Sequence, residues 1–151
     1  KSQPSIRRVL QLCRDNDLHV RSSLVIGNGV NNRNIGELPD FVRSIIGEYG
    51  DIIRSWGNFI QIVLPGSPVF GRFQQQAEQN GWTEVVGLYR KFNEVGYFTW
   101  TEQSRLNELF IRHTQNVDYD ALVAARDQAE KIVAESPDTT GVTIEHGGVL
   151  K

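Results

Sequence analysis

The residues best suited to chemistry stand at two strand exits. Phe59-Ile60-Gln61-Ile62-Val63-Leu64 is an apolar run that stops at Pro65-Gly66-Ser67-Pro68. Upstream, Val20-Arg21-Ser22-Ser23-Leu24-Val25-Ile26 stops at Gly27-Asn28-Gly29. Glycine lets a backbone approach a ligand closely and proline fixes φ, so both exits suit a ligand held by main-chain groups and apolar surface. An ordinary tight turn uses the same residues. The sequence Gly27-Asn28-Gly29 lacks the G-x-G-x-x-G spacing of a dinucleotide fingerprint, and no Lys-Ser/Thr follows to make a P-loop. Arg21 sits in an otherwise largely apolar strand, where alternation puts it on one face with Ser23 and Val25. Such an arginine is either a surface cation at a sheet edge or a partner for a carboxylate or phosphate inside a barrel.

The other reactive side chains are scattered. His19, His113 and His146 share no ligand spacing, so no metal site is expected. Asp118 and Asp120 read as helix caps rather than a paired acid and base. Cys13 is the only cysteine, which excludes an internal disulfide and agrees with a reducing, cytoplasmic setting; it reads as a small core residue. The aromatics Phe92, Tyr97, Phe98 and Trp100 are expected to cover a core edge rather than stack bases. A net charge of −2 lacks the basic surplus of a nucleic-acid binder. No apolar run approaches the roughly 20 residues of a membrane span, and the polar N-terminus is not a signal peptide. The 151 residues suffice for one sizeable core.

The elements that must position the two exits follow from spacing. Ile6, Val9, Leu10, Leu12 and Cys13 make one face of a helix, capped by Ser2 or Ser5 and ended at Asp15-Asn16-Asp17. A strand follows to Gly27, then a polar loop over 28–34. Leu38, Phe41, Val42, Ile45 and Ile46 form the stripe of a second helix, with Pro39 in its first turn and Gly47 or Gly50 at its end. Residues 51–58 suit a short helical turn around Ile52, Ile53 and Trp56 before a strand over 59–64. A short helix is expected over 74–80, and residues 82–98 show no clean period, with Leu88, Tyr89 and Phe92 suiting one helical turn. Thr101 or Ser104 caps a helix bearing Leu106, Leu109, Phe110 and His113. A last helix carries Ala121, Leu122, Ala125, Ala129, Ile132 and Val133. Beyond Ser136 lies a linker, with an added strand at Val142-Thr143-Ile144-Glu145. Alternating helix and strand followed by helices is an α/β organisation.

The order of these motifs resembles the second half of a radical SAM core. The matching pieces are residues 6–18, Val20-Arg21-Ser22-Ser23-Leu24-Val25-Ile26-Gly27, residues 38–46, Ile62-Val63-Leu64-Pro65-Gly66-Ser67-Pro68-Val69-Phe70 and Asn80-Gly81-Trp82, and the likeness runs over about residues 5–133. It looks most like the cobalamin-associated branch. The resemblance implies a partial (β/α) barrel over 1–98, a helical extension over 99–135 and a tail over 136–151. It implies a parent that binds S-adenosylmethionine and a 4Fe–4S cluster, with cobalamin as an auxiliary cofactor, and acts on a small-molecule substrate. This portion would supply the adenine-side wall from Val25, Ile26, Gly27, Leu64 and Pro65, with Arg21 meeting a polar group of S-adenosylmethionine or substrate. The family's Cys-x3-Cys-x2-Cys motif is absent, Gly27-Asn28-Gly29-Val30-Asn31 replaces its Gly-Leu-Pro-Gly-Glu, and Ser67 stands where Thr is common.

With no methionine in the chain, an inactive fragment is expected, completed by the missing N-terminal half or by self-association through an exposed strand edge. Two other readings remain open. One is a non-enzymatic α/β interaction module. The other is a small nucleotide-binding domain that holds phosphate at Gly27-Asn28-Gly29.

Overall fold

The computed structural model describes residues 3–27, 32–137 and 143–146. The chain forms two compact units. One comprises Lys1–Ile60 with Asp120–Lys151, and the other is Gln61–Tyr119, inserted between them in sequence. The chain is thus cut after 60 and after 119, where the sequence reading divided it after 98 and after 135.

The first unit is an α/β layer. It contains α1 (Gln3–Asp15), β1 (Val20–Ile26), α2 (Leu38–Tyr49), β2 (Ile53–Ile60), α6 (Tyr119–Glu135) and β3 (Thr143–His146). The strands make a parallel sheet in the order β1-β2-β3. Parallel neighbours need a crossover connection, and α2 supplies the one between β1 and β2. The expected end of the first helix at Asp15-Asn16-Asp17 is a Schellman cap. Asp17 takes φ 54°, its N–H bonds the Arg14 carbonyl, and the Leu18 N–H reaches the Cys13 carbonyl. Pro39 lies in the first turn of α2, and Gly50 caps its end. The strand expected near Val142 is β3.

The two helices α1 and α2 lie on one face of the sheet. Ile6 and Leu10 of α1 and Phe41 and Ile45 of α2 meet Ser22 and Leu24 of β1 and Ile53 and Trp56 of β2 around a cavity of about 50 Å³. Arg7 forks onto the Glu48 carboxylate at 2.9 and 2.7 Å, and Arg14 bonds Asp51 while lying 4.7 Å over the Tyr49 ring. Burial along β1 alternates, with Arg21, Ser23 and Val25 outward on the opposite face, as their spacing predicts.

The second strand differs from its sequence-based range. The ladder runs over Ile53–Ile60 and has ended before residues 61–64. The spacing of Ile52, Ile53 and Trp56 suits a helical turn locally, but pairing with β1 in the register Val20↔Ile53 to Ile26↔Ile60 overrides it. Gly57 is a mid-strand residue opposite Ser23.

The second unit is helical, with α3 (Pro68–Asn80), α4 (Thr83–Val95) and α5 (Trp100–Thr114). The first of these begins earlier than expected because Ser67 caps it: its Oγ accepts the Phe70 N–H at 3.2 Å, and Pro68 occupies the first turn. Residues 83–95, where no clean period is visible, are a full helix between Gly81 and Gly96, both at positive φ. Its face is set by an aromatic cluster: Phe70 packs on Tyr89, Phe92 and Phe98, and Phe73 on Trp82, Tyr89 and Phe110. Thr99, not Thr101 or Ser104, caps α5, in a reciprocal box with Glu102.

Candidate functional site

The first strand exit is built by β1 and its neighbour β2. Val25 lies opposite Phe59 and Ile26 opposite Ile60, so both strands end side by side at their carboxyl termini. Ile26 is buried on the helix face, whereas Val25 is 44% exposed on the other. Gly27 leaves the strand at φ 76°, a left-handed conformation that glycine adopts without steric cost. Arg21 is exposed on the same face as Val25. The rest of Gly27-Asn28-Gly29-Val30-Asn31 falls outside the described residues.

The second exit, with Leu64 and Pro65, belongs to the helical unit. Leu64-Pro65-Gly66-Ser67 is a type II turn. The Ser67 N–H bonds the Leu64 carbonyl at 3.1 Å, with Pro65 second and Gly66 third at φ 81°. The Ser67 hydroxyl also donates to that carbonyl at 2.7 Å. With its carbonyl engaged in the turn, Leu64 offers a ligand mainly its side chain, 56% exposed, beside an exposed Pro65.

Sequence reasoning missed the pair that holds this turn. The Val63 N–H donates to Asn107 Oδ1 at 2.9 Å, and its carbonyl accepts from Gln103 Nε2 at 3.0 Å. Gln103 Nε2 lies 3.0 Å from Asn107 Oδ1 as well. The visible signal was two amides at i, i+4 beside the apolar positions of α5.

The remaining candidates stay apart. Among the described residues no three His, Cys, Asp or Glu side chains converge as a metal site. His113 stacks on Trp82 with centroids 4.1 Å apart, and Cys13 is a half-buried thiol on α1. Of the aromatics expected at a core edge, Phe92 and Phe98 pack together, while Tyr97 and Trp100 are 62% and 67% exposed.

Electrostatic shifts concentrate on surface pairs. Hydrogen bonds from Arg7 hold Glu48, and those from Arg14 hold Asp51, below the usual carboxylate range. Lys91 and the Thr99 cap together bring Glu102 down to about 2.

Comparison with protein-family models, with curated proteins and with solved structures gives no match at the threshold used for each. Among the described residues no helix is long and apolar enough to cross a membrane.

Proposed function

We propose that this chain supplies neighbouring strands of a radical SAM-type (β/α) barrel, and that its parent is a radical SAM enzyme acting on a small molecule. The observation that carries this reading is the winding of the first unit. Its strands are parallel and in sequential order, and α1 and α2 cover the same face of β1 and β2. With α1 and α2 on one face of β1, and Arg21, Ser23 and Val25 exposed on the other, β1 suits a strand of a barrel wall.

S-adenosylmethionine is the cofactor of this reading, and ligands of such barrels sit at the carboxyl ends of the strands. The exposed Val25 at the end of β1 fits an apolar contact with an adenine. Arg21 suits a carboxylate. The cluster, when bound, supplies the electron that cleaves S-adenosylmethionine. One cysteine cannot ligate it, so its ligands come from residues outside this chain. Cobalamin enters only through the resemblance.

The test is the sequence encoded ahead of Lys1, with S-adenosylmethionine binding measured on the full-length protein. A Cys-x3-Cys-x2-Cys motif and saturable binding are expected. An upstream region without that motif, or no binding, overturns the reading.

A non-enzymatic interaction module is the second reading. It is favoured by the exposed Tyr97 and Trp100, residue types enriched where partners dock. It predicts a partner lost on Trp100→Ala and no binding of S-adenosylmethionine.

A further inference from the structure

We infer that Gln103 and Asn107 are positioning residues for a nucleoside-binding turn at Leu64-Pro65. The ligand class rests on the radical SAM reading; the clamp itself stands on the geometry of the helical unit.

Val63 is fully buried and lies beyond the last paired residue of β2. A buried backbone N–H and C=O must find partners, and a strand ladder is the usual source. Here both come from two side chains one turn apart on α5. Asn107 Oδ1 accepts the N–H at 2.9 Å and Gln103 Nε2 donates to the carbonyl at 3.0 Å. Asn107 accepts and Gln103 donates, and the contact of Gln103 Nε2 with Asn107 Oδ1 agrees with both orientations.

The clamp is the first link of a chain of constraints. After Val63 the Leu64 carbonyl is held by the Ser67 N–H and hydroxyl, Pro65 fixes φ, and Ser67 caps α3. The result is a stiff loop whose exposed surface is Leu64 and Pro65, the residues assigned to the adenine. Holding a contact surface before the ligand arrives lowers the ordering cost of binding. Releasing Val63 should let the turn move without removing any group that touches the ligand.

The experiment uses the full-length protein and two readouts: S-adenosylmethionine affinity by equilibrium dialysis, and hydrogen exchange of the Val63 amide. Asn107→Leu removes the acceptor, Asn107→Asp keeps it, and Gln103→Met removes the donor at similar length. Asn107→Leu and Gln103→Met are each expected to weaken binding about tenfold, the scale of one lost hydrogen bond. Exchange at Val63 should rise in Asn107→Leu, and Asn107→Asp should restore affinity and protection. Wild-type binding that is unchanged in both weakened variants overturns the positioning role and leaves the radical SAM reading standing. No wild-type binding overturns that reading and, with it, the ligand assigned here. Should Asn107→Leu fail to fold, Gln103→Met and Asn107→Asp decide the matter.

Discussion

The Tyr89 hydroxyl donates to the Phe70 carbonyl at 2.7 Å, joining the middle of α4 to the first turn of α3 inside the aromatic cluster. The two rings are in contact, with centroids 4.6 Å apart. Burial pushes the Tyr89 hydroxyl well above its ordinary pKa, so it stays protonated as a donor. Tyr89→Phe keeps the packing and loses the bond. It should destabilise the helical unit by about 1 kcal/mol in urea unfolding. In an alkaline absorbance titration of the native chain, one of the four tyrosines should ionise only on unfolding.

The capping box of α5 carries an acid sensitivity. Lys91 and the Thr99 N–H and hydroxyl all favour ionised Glu102, bringing it to about 2, below its unfolded value near 4.5. A carboxylate lowered in the folded state stabilises above its unfolded pKa, and that contribution is lost as pH falls through the folded one. Stability should therefore decline between about pH 4.5 and 2, and Glu102→Gln should flatten the decline in that window. A variant that keeps the wild-type acid slope would refute this account. Thr99→Ala removes the cap and should cost about 1 kcal/mol at neutral pH.

Two glycines should respond to alanine in opposite directions. Gly66 sits at φ 81° and Gly87 lies within α4, and an added Cβ meets nothing within 4 Å at either. The outcome is then set by the backbone alone. Gly66→Ala forces alanine into a left-handed conformation and should cost about 1–2 kcal/mol. Gly87→Ala should stabilise by about 0.5–1 kcal/mol through helix propensity and the unfolded chain's lost freedom. Thermal unfolding of both variants gives the comparison, and equal shifts of one sign would contradict it.

Asn58 is fully buried in the central strand, and among the described residues neither polar atom of its side chain has a hydrogen-bond partner. Among the described residues the Trp56 Nε1, two residues earlier on the same face, also lacks a partner. An unpaired buried amide costs about 1–3 kcal/mol, and an apolar group of like shape removes that cost. Asn58→Leu should raise the unfolding midpoint. A fall of more than about 1 kcal/mol would show that the amide is satisfied in solution.

Much of the α/β organisation was legible in order and period. The stripe of α2, the alternation of Arg21, Ser23 and Val25, the stop at Asp17 and the turn at Pro65-Gly66 are local effects, each decided by residues a few positions apart. The site was legible only as two exits; the amides that hold one of them lie some 40 residues further on, where no local rule connects them.

By itself the sequence determined where helices carry apolar faces, where glycine and proline interrupt them, and that one cysteine supports neither disulfide nor cluster. Those follow from steric limits on φ and from side-chain periodicity. Tertiary structure decided the rest. It made residues 53–60 a strand by pairing them with β1, ended that strand where Gln103 and Asn107 take over the Val63 backbone, and drew 83–95 into a helix through the aromatic cluster. In each case a non-local partner supplied hydrogen bonds or burial larger than the local preference of a few tenths of a kcal/mol per residue.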